Sequence, residues 1–272
     1  MSCDHNCSSC KSNCDKNKSL LVETAQENHI KNIIGVVSGK GGVGKSSVTS
    51  LLAVSLAKKG YKVGILDSDI TGPSIPKAFG VGEGVEGNDK LMFPPLTKLG
   101  IKVMSINLLI PDPTKPVLWR GPVLGGAIKQ FYQDVLWEEL DFLLIDMPPG
   151  TSDVALTVFQ SIPVDGVVIV STPQDLVKMI VGKAVNMCQQ MNIKIIGLIE
   201  NMSYIKCSCC NNLLYPFGKS KLKEVSSFYN IEPLASTPIN PELSKLMDNG
   251  LIEDYDTSYL DEAVEKIIKF NN

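Results

Sequence analysis

The stretch that decides the fold is GKGGVGKSS, residues 39–47, which directly follows the apolar run IIGVVS, residues 33–38. It matches the pattern G-x-x-x-x-G-K-[ST], in which Gly44, Lys45 and Ser46 form the fixed end. The glycines let the backbone curl so that several N–H groups point inward, and a helix beginning here would add its positive N-terminal end. Lys45 would place a cation on terminal phosphates, and the Ser46 hydroxyl is an oxygen ligand suited to Mg²⁺. The stretch therefore predicts a phosphate-binding loop between a strand and a helix.

From Ile33 onward, apolar runs long enough for a strand alternate with stretches in which apolar residues recur with the period of a helix. Nearly continuous Val, Ile and Leu runs indicate strands that are buried on both faces, as in a parallel sheet. The alternation predicts a doubly wound α/β fold, with a mainly parallel sheet and helices on both faces. The predicted strands are 33–38, 62–67, 102–106, 142–146, 166–171, 193–200 and 233–237, and the predicted helices include 45–59, about 122–137 and about 258–270.

Acidic side chains follow two of these predicted strands. Asp67 and Asp69 stand in LDSDI, and Asp146 ends the apolar run of LLIDMPPG. Ligands of open α/β sheets collect at the carboxyl ends of the strands, so these acids are candidate partners of the phosphate site. Any one of them could instead be a helix cap or a turn former. Asn201 in IENMS ends a further strand, where asparagine is also a common turn residue.

Composition limits the classes of partner and compartment. The chain has 272 residues with a net charge of −3, which does not favour a nucleic-acid partner. No apolar run reaches the ~18–20 residues that span a bilayer, so we expect no membrane partner. The polar N-terminus lacks the apolar segment of a secretory signal, which predicts a cytoplasmic protein. Because the cytosol is reducing, clustered cysteines then indicate metal or redox chemistry rather than disulfides.

Residues 1–28 are predicted to be a flexible cysteine-rich tail that precedes an NTPase domain over 29–272, because the tail has few large apolar residues. Four thiols with the spacing C-x3-C-x2-C-x3-C could together hold an iron–sulfur cluster, or zinc or another metal. They could also be a flexible thiol tail, and His5 is a candidate substitute ligand. The four residues are Cys3, Cys7, Cys10 and Cys14.

A second cysteine group follows Asn201. Cys207 and Cys210 form C-x-x-C, with Cys209 between them. A tetrahedral zinc site or a [4Fe–4S] cluster normally takes four ligands, and one C-x-x-C supplies two. A twofold dimer would complete the set, since each subunit presents the same pair. Thioredoxin-like redox chemistry, a zinc ion that bridges the dimer and plain buried cysteines are the alternatives.

Several motifs together resemble the Mrp/ApbC-like iron–sulfur cluster carrier family, whose P-loop ATPases carry a deviant Walker A motif and are related to MinD and ParA. The C-x-x-C after ENMSY is the discriminating element, since the P-loop motifs are shared with ParA, MinD and the nitrogenase iron protein. The resemblance runs from about residue 30 to the end. Its segments are GKGGVGKSS (39–47), DSDITGPSIPK (67–77), WRGPV (119–123), DMPPGTSD (146–153), STPQ (171–174), ENMSY (200–204) and FG (217–218).

The resemblance implies an ATP hydrolase that closes as a homodimer around two ATP molecules. Lys40 marks the deviant motif and would reach the partner's nucleotide. Asp67 would lie near Mg²⁺, Asp69 would orient or activate the attacking water, and Asp146 would hold the Mg²⁺ water shell. The implied catalytic residues are Lys40, Lys45, Asp69 and Asp146, and the implied magnesium residues are Ser46, Asp67 and Asp146. The implied ATP-binding residues are Gly39, Lys40, Gly41, Gly42, Val43, Gly44, Lys45, Ser46 and Ser47, with Asn201 reading the adenine.

The resemblance further implies that a labile [4Fe–4S] cluster is held between the paired Cys207 and Cys210 loops of the dimer. The cluster would be passed to apo iron–sulfur proteins, with ATP controlling dimer shape. Eukaryotic cytosolic scaffold members also carry an N-terminal four-cysteine site, with wider spacing than this tail. Two other functions compete: a ParA/MinD-type positioning ATPase without metal, and an ATP-driven redox partner similar to the nitrogenase iron protein.

Overall fold

The computed structural model describes residues 20–69, 74–82, 84–109, 121–150, 152–174 and 177–271. Within them an eight-stranded sheet has seven parallel strands in the order β10-β8-β7-β1-β6-β2-β5, with β9 antiparallel to β8. The short strands β3 and β4 form a separate antiparallel pair. The strands are β1 His29–Val37, β2 Val63–Asp67, β3 Glu86–Gly87, β4 Met92–Phe93, β5 Lys102–Ser105, β6 Glu139–Asp146, β7 Gly166–Ser171, β8 Ile195–Lys206, β9 Leu213–Leu214 and β10 Pro233–Pro238.

Helices cover both faces of this sheet, which confirms the predicted doubly wound α/β class. Two apolar clusters form the core, one on each face. One contains side chains of α3 to α6, and the other contains side chains of α1, α2 and α8, with α7 packed against it. The helices are α1 Lys45–Lys58, α2 Ser74–Phe79, α3 Gly121–Gln133, α4 Asp153–Ser161, α5 Val177–Gln190, α6 Leu222–Tyr229, α7 Pro241–Asp248 and α8 Asp261–Lys269. None of the helices in the described ranges is both long and apolar enough to cross a bilayer.

Strands β1 and β6 begin four and three residues before the predicted starts, and two elements end several residues away from the predicted ends. Helix α3 ends at Gln133, not near residue 137, because the backbone after it pairs with β4: Met92 N–H donates to the Asp134 carbonyl and Leu136 N–H to the Met92 carbonyl, both at 2.8 Å. Strand β8 continues six residues beyond the predicted end at residue 200 and reaches Lys206. It passes through Met202, whose φ of 57° is left-handed and uncommon for a bulky side chain.

The described part of the predicted tail, residues 20–28, runs along the domain surface. Val22 N–H donates to the Ser161 carbonyl at 2.8 Å, and the Asn28 amide donates to the Val135 carbonyl at 2.9 Å. These residues therefore contact the domain, whereas the tail cysteines lie outside the described residues. The division at residue 28 stays a prediction.

The fold positions a site because the sheet is parallel. Strands β1, β2, β6 and β7 are adjacent and all end at the same edge. The loops that follow them therefore meet there, which is where open α/β sheets bind ligands.

Candidate functional site

The glycine loop joins the end of β1 to the first residue of α1. Gly42 and Gly44 have φ of 76° and 75°, a left-handed conformation that only glycine adopts without strain. Gly44 precedes α1 with no side-chain cap, and the first turn of α1 holds no acidic residue. Its first backbone N–H groups thus have no capping side chain, and the helix end is positive. The local geometry is that of an anion site, with Gly39 to Ser47 around it.

Lys45 and Asp146 form a buried ion pair at the centre of this edge. Lys45 Nζ lies 2.7 Å from Asp146 Oδ1, and the two side chains are 5% and 0% exposed. Ser46 Oγ donates to Asp146 Oδ2 at 2.6 Å, and Thr49 Oγ1 donates to Oδ1 at 2.8 Å. The structure thus brings together the predicted Lys45, Ser46 and Asp146, and it adds Thr49, which the sequence did not single out.

The acids of β2 lie beside this pair. Asp67 is in register with Asp146 on the neighbouring strand β6, and its Oδ2 accepts a 3.0 Å hydrogen bond from Ser105 Oγ. Asp69 Oδ2 lies 3.6 Å from Lys45 Nζ. Burial, and then the negative charge of Asp146, raise the pKa of Asp67 well above its ordinary value.

These oxygen donors fit a magnesium ion. Mg²⁺ in nucleotide sites takes one or two protein oxygens and completes its shell with phosphates and water. Ser46 and Asp146 are such donors, and the raised pKa of Asp67 has a cause that a divalent cation would oppose. No three His, Cys, Asp or Glu side chains within the described ranges, this edge included, converge as a metal site, so the fit to magnesium depends on the phosphates and water that would complete its shell.

The segment after β6 turns back toward the glycine loop. Met147 N–H donates to the Val36 carbonyl at 3.1 Å, and Gly150 N–H to the Ser38 carbonyl at 2.8 Å. A Cβ added at Gly41 would lie 3.9 Å from Pro149. Residues 147–150 therefore lie against the end of β1 and the start of the glycine loop.

Lys40 points to a different partner from Lys45. Its ammonium donates to the side-chain oxygen of Gln174, in the loop between β7 and α5. Gln174 belongs to the STPQ segment, but no feature of the sequence predicts a role for this residue.

Asn201 on β8 is hydrogen-bonded to the glycine loop. Its Nδ2 donates to the Val43 carbonyl at 2.9 Å, and its Oδ1 accepts from Thr237 Oγ1 at 2.5 Å. The amide thus supports the loop backbone, and its adenine role stays a prediction. Thr237 on β10 was missed because its contact depends on strand order.

Replacing Gly44 with alanine is expected to lower the free energy of unfolding by more than replacing Gly42. Both changes force alanine into a left-handed conformation, which costs about 1–2 kcal/mol. At Gly44 the new Cβ would also lie 2.2 Å from Asn201 Nδ2, whereas no atom lies within 4 Å at Gly42. Displacing the buried amide adds about 1–3 kcal/mol. Urea unfolding of both variants measures the difference, and equal losses would contradict the Asn201 contact.

Cys207 and Cys210 lie in the hairpin that joins β8 to β9. Cys207 N–H donates to the Asn212 carbonyl and Asn211 N–H to the Cys207 carbonyl, both at 2.9 Å, so residues 207–211 form one helical turn. Cys207 is half-buried, and Cys209 and Cys210 are exposed. Hydrogen bonds from the Cys210 and then the Cys209 backbone lower the pKa of the Cys207 thiol, which favours the thiolate that binds metal. The exposed thiols stand against the reading of plain buried cysteines.

The remaining cysteines divide into two kinds. Cys188 on α5 is fully buried, and burial raises the pKa of its thiol to about 12, so it is a protonated core side chain. The predicted tail site lies outside the described residues, as do Trp119 and Arg120 of the WRGPV segment. The tail residues are Cys3, Cys7, Cys10 and Cys14.

The sheet order, the glycine loop and the lysine–aspartate pair define a nucleotide-binding P-loop NTPase. A family model described as ParA, NUBPL iron-transfer P-loop NTPase, matches residues 29–270, and the chain belongs to this family. An iron-sulfur cluster carrier protein of Clostridium perfringens is 51% identical over 235 residues, covering 84% of this chain and 82% of the relative. A protein of the same name from Methanocaldococcus jannaschii is 45% identical over 262 residues, covering 92% and 89%.

Solved structures agree with this assignment. A nucleotide-binding protein of Archaeoglobus fulgidus, solved in complex with ADP, has a TM-score of 0.77 and 46% identity, and the match covers 85% of this chain and 91% of that one. The cell division ATPase MinD of Pyrococcus furiosus has a TM-score of 0.59 at 20% identity, covering 88% and 99%, which supports the fold alone. The predicted resemblance to iron–sulfur cluster carriers with MinD and ParA relatives is confirmed.

Proposed function

We propose that this chain is an ATP-hydrolysing carrier that binds a [4Fe–4S] cluster between two copies and transfers it to apo iron–sulfur proteins. The observation that carries the proposal is that one strand, β8, connects both sites. Asn201 on β8 contacts the phosphate loop, and Cys207 follows directly after the end of the strand. Six residues of chain separate them, which spans at most about 20 Å. The names of the curated relatives support the same function.

ATP with Mg²⁺ is the proposed nucleotide. The N–H groups around Gly44 would bind phosphate oxygens, Lys45 would neutralise their charge, and Ser46 and Asp146 would hold the ion and its water. Bound Mg²⁺ would neutralise charge that develops on the phosphates. Asp69, 3.6 Å from Lys45 Nζ, is the proposed group that orients or activates the attacking water.

The cluster is the cargo in this proposal. Cys207 and Cys210 from each of two subunits would supply four thiolates, the ligand number that a [4Fe–4S] cluster takes. Transfer would replace each Fe–S bond to the carrier with a bond to an acceptor thiolate, so that no net oxidation or reduction occurs. The exposed position of the hairpin supports such an exchange, because acceptor thiolates could reach the irons. A cluster or zinc on the N-terminal cysteines stays a prediction.

The direct test is transfer. Anaerobically reconstituted protein, mixed with an apo [4Fe–4S] enzyme and an iron chelator, is expected to restore the activity of that enzyme. Free iron and sulfide at the same concentrations, with the chelator present, are the control. Restoration no faster than the control would reject the proposal. ATP-dependent binding to DNA or vesicles without transfer would favour a positioning ATPase, and electron donation without transfer a redox partner.

Replacing Asp69 with alanine is expected to lower the ATP hydrolysis rate about 100-fold, the size of one general acid–base contribution. Nucleotide affinity should stay near that of the unaltered chain, because the Lys45–Asp146 pair is intact. Steady-state ATPase rates and ATP titration measure the two effects separately. Asp89→Ala, in an exposed turn, is the matched control. Equal hydrolysis rates in Asp69→Ala and the unaltered chain would remove Asp69 from the mechanism.

A further inference from the structure

The contact between Lys40 and Gln174 follows from the order of the strands. β1 and β7 are parallel neighbours, paired from Ile34 with Gly166 to Val37 with Ile169. The glycine loop after β1 therefore lies beside the loop after β7. There the Lys40 ammonium donates to Gln174 Oε1.

Both partners of this contact are held by the backbone around them. Gln174 N–H donates to the Thr172 carbonyl at 2.8 Å, and Val177 N–H donates to the Gln174 carbonyl at 3.0 Å. On the other side, a Cβ added at Gly39 would lie 2.0 Å from the Ile180 carbonyl oxygen, so the glycine loop packs directly on α5. The contact thus joins the glycine loop to the loop after β7, each of which is held in place by its own backbone contacts. The side chains of Lys40 and Gln174 are both half-buried.

The two lysines of the loop differ in the strength of their partners. Lys45 is paired with a fully buried carboxylate and is itself buried. Lys40 is paired with a neutral amide oxygen. The Lys40 ammonium is charged in either contact, but a phosphate oxygen carries negative charge as well, so Coulomb attraction adds to a hydrogen bond that the neutral amide oxygen accepts without it. A phosphate oxygen would therefore displace the amide from Lys40 readily, whereas Lys45 is held within its own subunit.

We propose that Gln174 is a positioning residue that holds Lys40 within its own subunit until a nucleotide-loaded second copy offers a phosphate oxygen in its place. This inference rests on the proposed function and on the role that the family resemblance implies for Lys40, which would reach the partner's nucleotide. The amide and the partner's phosphate compete for one ammonium group. Gln174 thereby sets the nucleotide concentration at which two subunits close.

Competition predicts opposite effects for two substitutions at one position. Gln174→Ala removes the acceptor, so less nucleotide should be needed for dimerisation. Gln174→Glu replaces it with a carboxylate, which holds the ammonium more strongly, so more nucleotide should be needed. We expect a shift of about tenfold in each direction, the size of one hydrogen bond to a charged group. A residue that only supports the local fold would impair dimerisation with either change.

The experiment is sedimentation of the full-length chain across a titration of a non-hydrolysable ATP analogue with Mg²⁺. The half-maximal concentration for dimer formation is read for the unaltered chain, Gln174→Ala and Gln174→Glu. Gln174→Met keeps the side-chain length without an acceptor and should behave like Gln174→Ala, which covers the case that alanine disturbs the loop. Gln190→Ala and Gln190→Glu, at an exposed glutamine on α5, are the matched controls and should leave the midpoint unchanged.

Lys40→Ala separates the two ways of failing. If Lys40→Ala forms dimers as the unaltered chain does, the role of Lys40 across the interface is wrong, and the inference falls with it. If Lys40→Ala prevents dimerisation while the Gln174 variants keep the unaltered midpoint, or all shift it in the same direction, the inference alone is overturned. A lower midpoint in Gln174→Ala together with a higher midpoint in Gln174→Glu establishes the inference, and the reverse pair of shifts overturns it.

Discussion

Cys207→Ala and Cys210→Ala are each expected to abolish binding of the cluster that we propose lies between two subunits. Each change removes one thiolate from both chains of a symmetric pair, so two of four ligands are lost together. A [4Fe–4S] cluster normally takes four cysteine thiolates, and two ligands do not retain it. Anaerobic reconstitution followed by iron and sulfide determination should therefore give near-background values for either variant.

This measurement must separate the hairpin cysteines from the other cysteines of the chain. The tail cysteines should first be changed to alanine within the full-length chain, because residues 20–28 contact the domain and deleting the tail through residue 28 would remove those contacts. Cys209→Ala is the matched control, since in a helical turn Cys207 and Cys210 share a face and Cys209 does not. Cys188→Ala tests a buried thiol. Iron content that survives both Cys207→Ala and Cys210→Ala would exclude these residues as ligands.

Lys45→Ala is expected to weaken ATP binding about 100-fold or more, because it removes a cation that would contact phosphate oxygens through charge-assisted bonds. It should also destabilise the fold. Asp146 is fully buried, and breaking a buried ion pair by removing one partner costs about 3–5 kcal/mol. The hydroxyls of Ser46 and Thr49 still donate to Asp146, so the lower end of that range is expected.

Calorimetric ATP titration and urea unfolding measure the two effects. Lys45→Met keeps the aliphatic stem, and pairing it with Asp146→Asn should restore much of the stability but not the ATP affinity. Lys59→Met, at the opposite end of α1, breaks only a surface pair with Asp261 and should cost at most about 1 kcal/mol. Unchanged ATP affinity in Lys45→Met would contradict the assignment of the phosphate site.

Local signals predicted much of the fold and the centre of the site. The positions of Lys45 and Ser46 are set by the loop and the first turn of α1, and a buried strand that ends in an acid places Asp146 at the same edge. These features depend on a few consecutive residues, so the sequence carries them. The bounds of β7, residues 166–171, were predicted as observed for the same reason.

What the sequence did not predict depends on neighbours that are distant along the chain. Gln174 meets Lys40 because β7 lies beside β1, and Thr237 meets Asn201 because β10 lies beside β8. Alternating strands and helices indicate a parallel sheet but do not give its order. The left-handed Met202 has no signature in its own residue type, so the extension of β8 to the cysteine hairpin was also missed.

Cluster sharing between two subunits is measured most directly by the iron and sulfide content of the reconstituted dimer, with the tail cysteines changed to alanine and an ATP analogue and Mg²⁺ present. A shared [4Fe–4S] cluster predicts about four irons and four sulfides for every two chains, with the broad visible absorption of such a cluster, and loss of both in Cys207→Ala. About one zinc ion for every two chains, with no sulfide, would rule out a shared iron–sulfur cluster and make the cysteine pair a structural bridge.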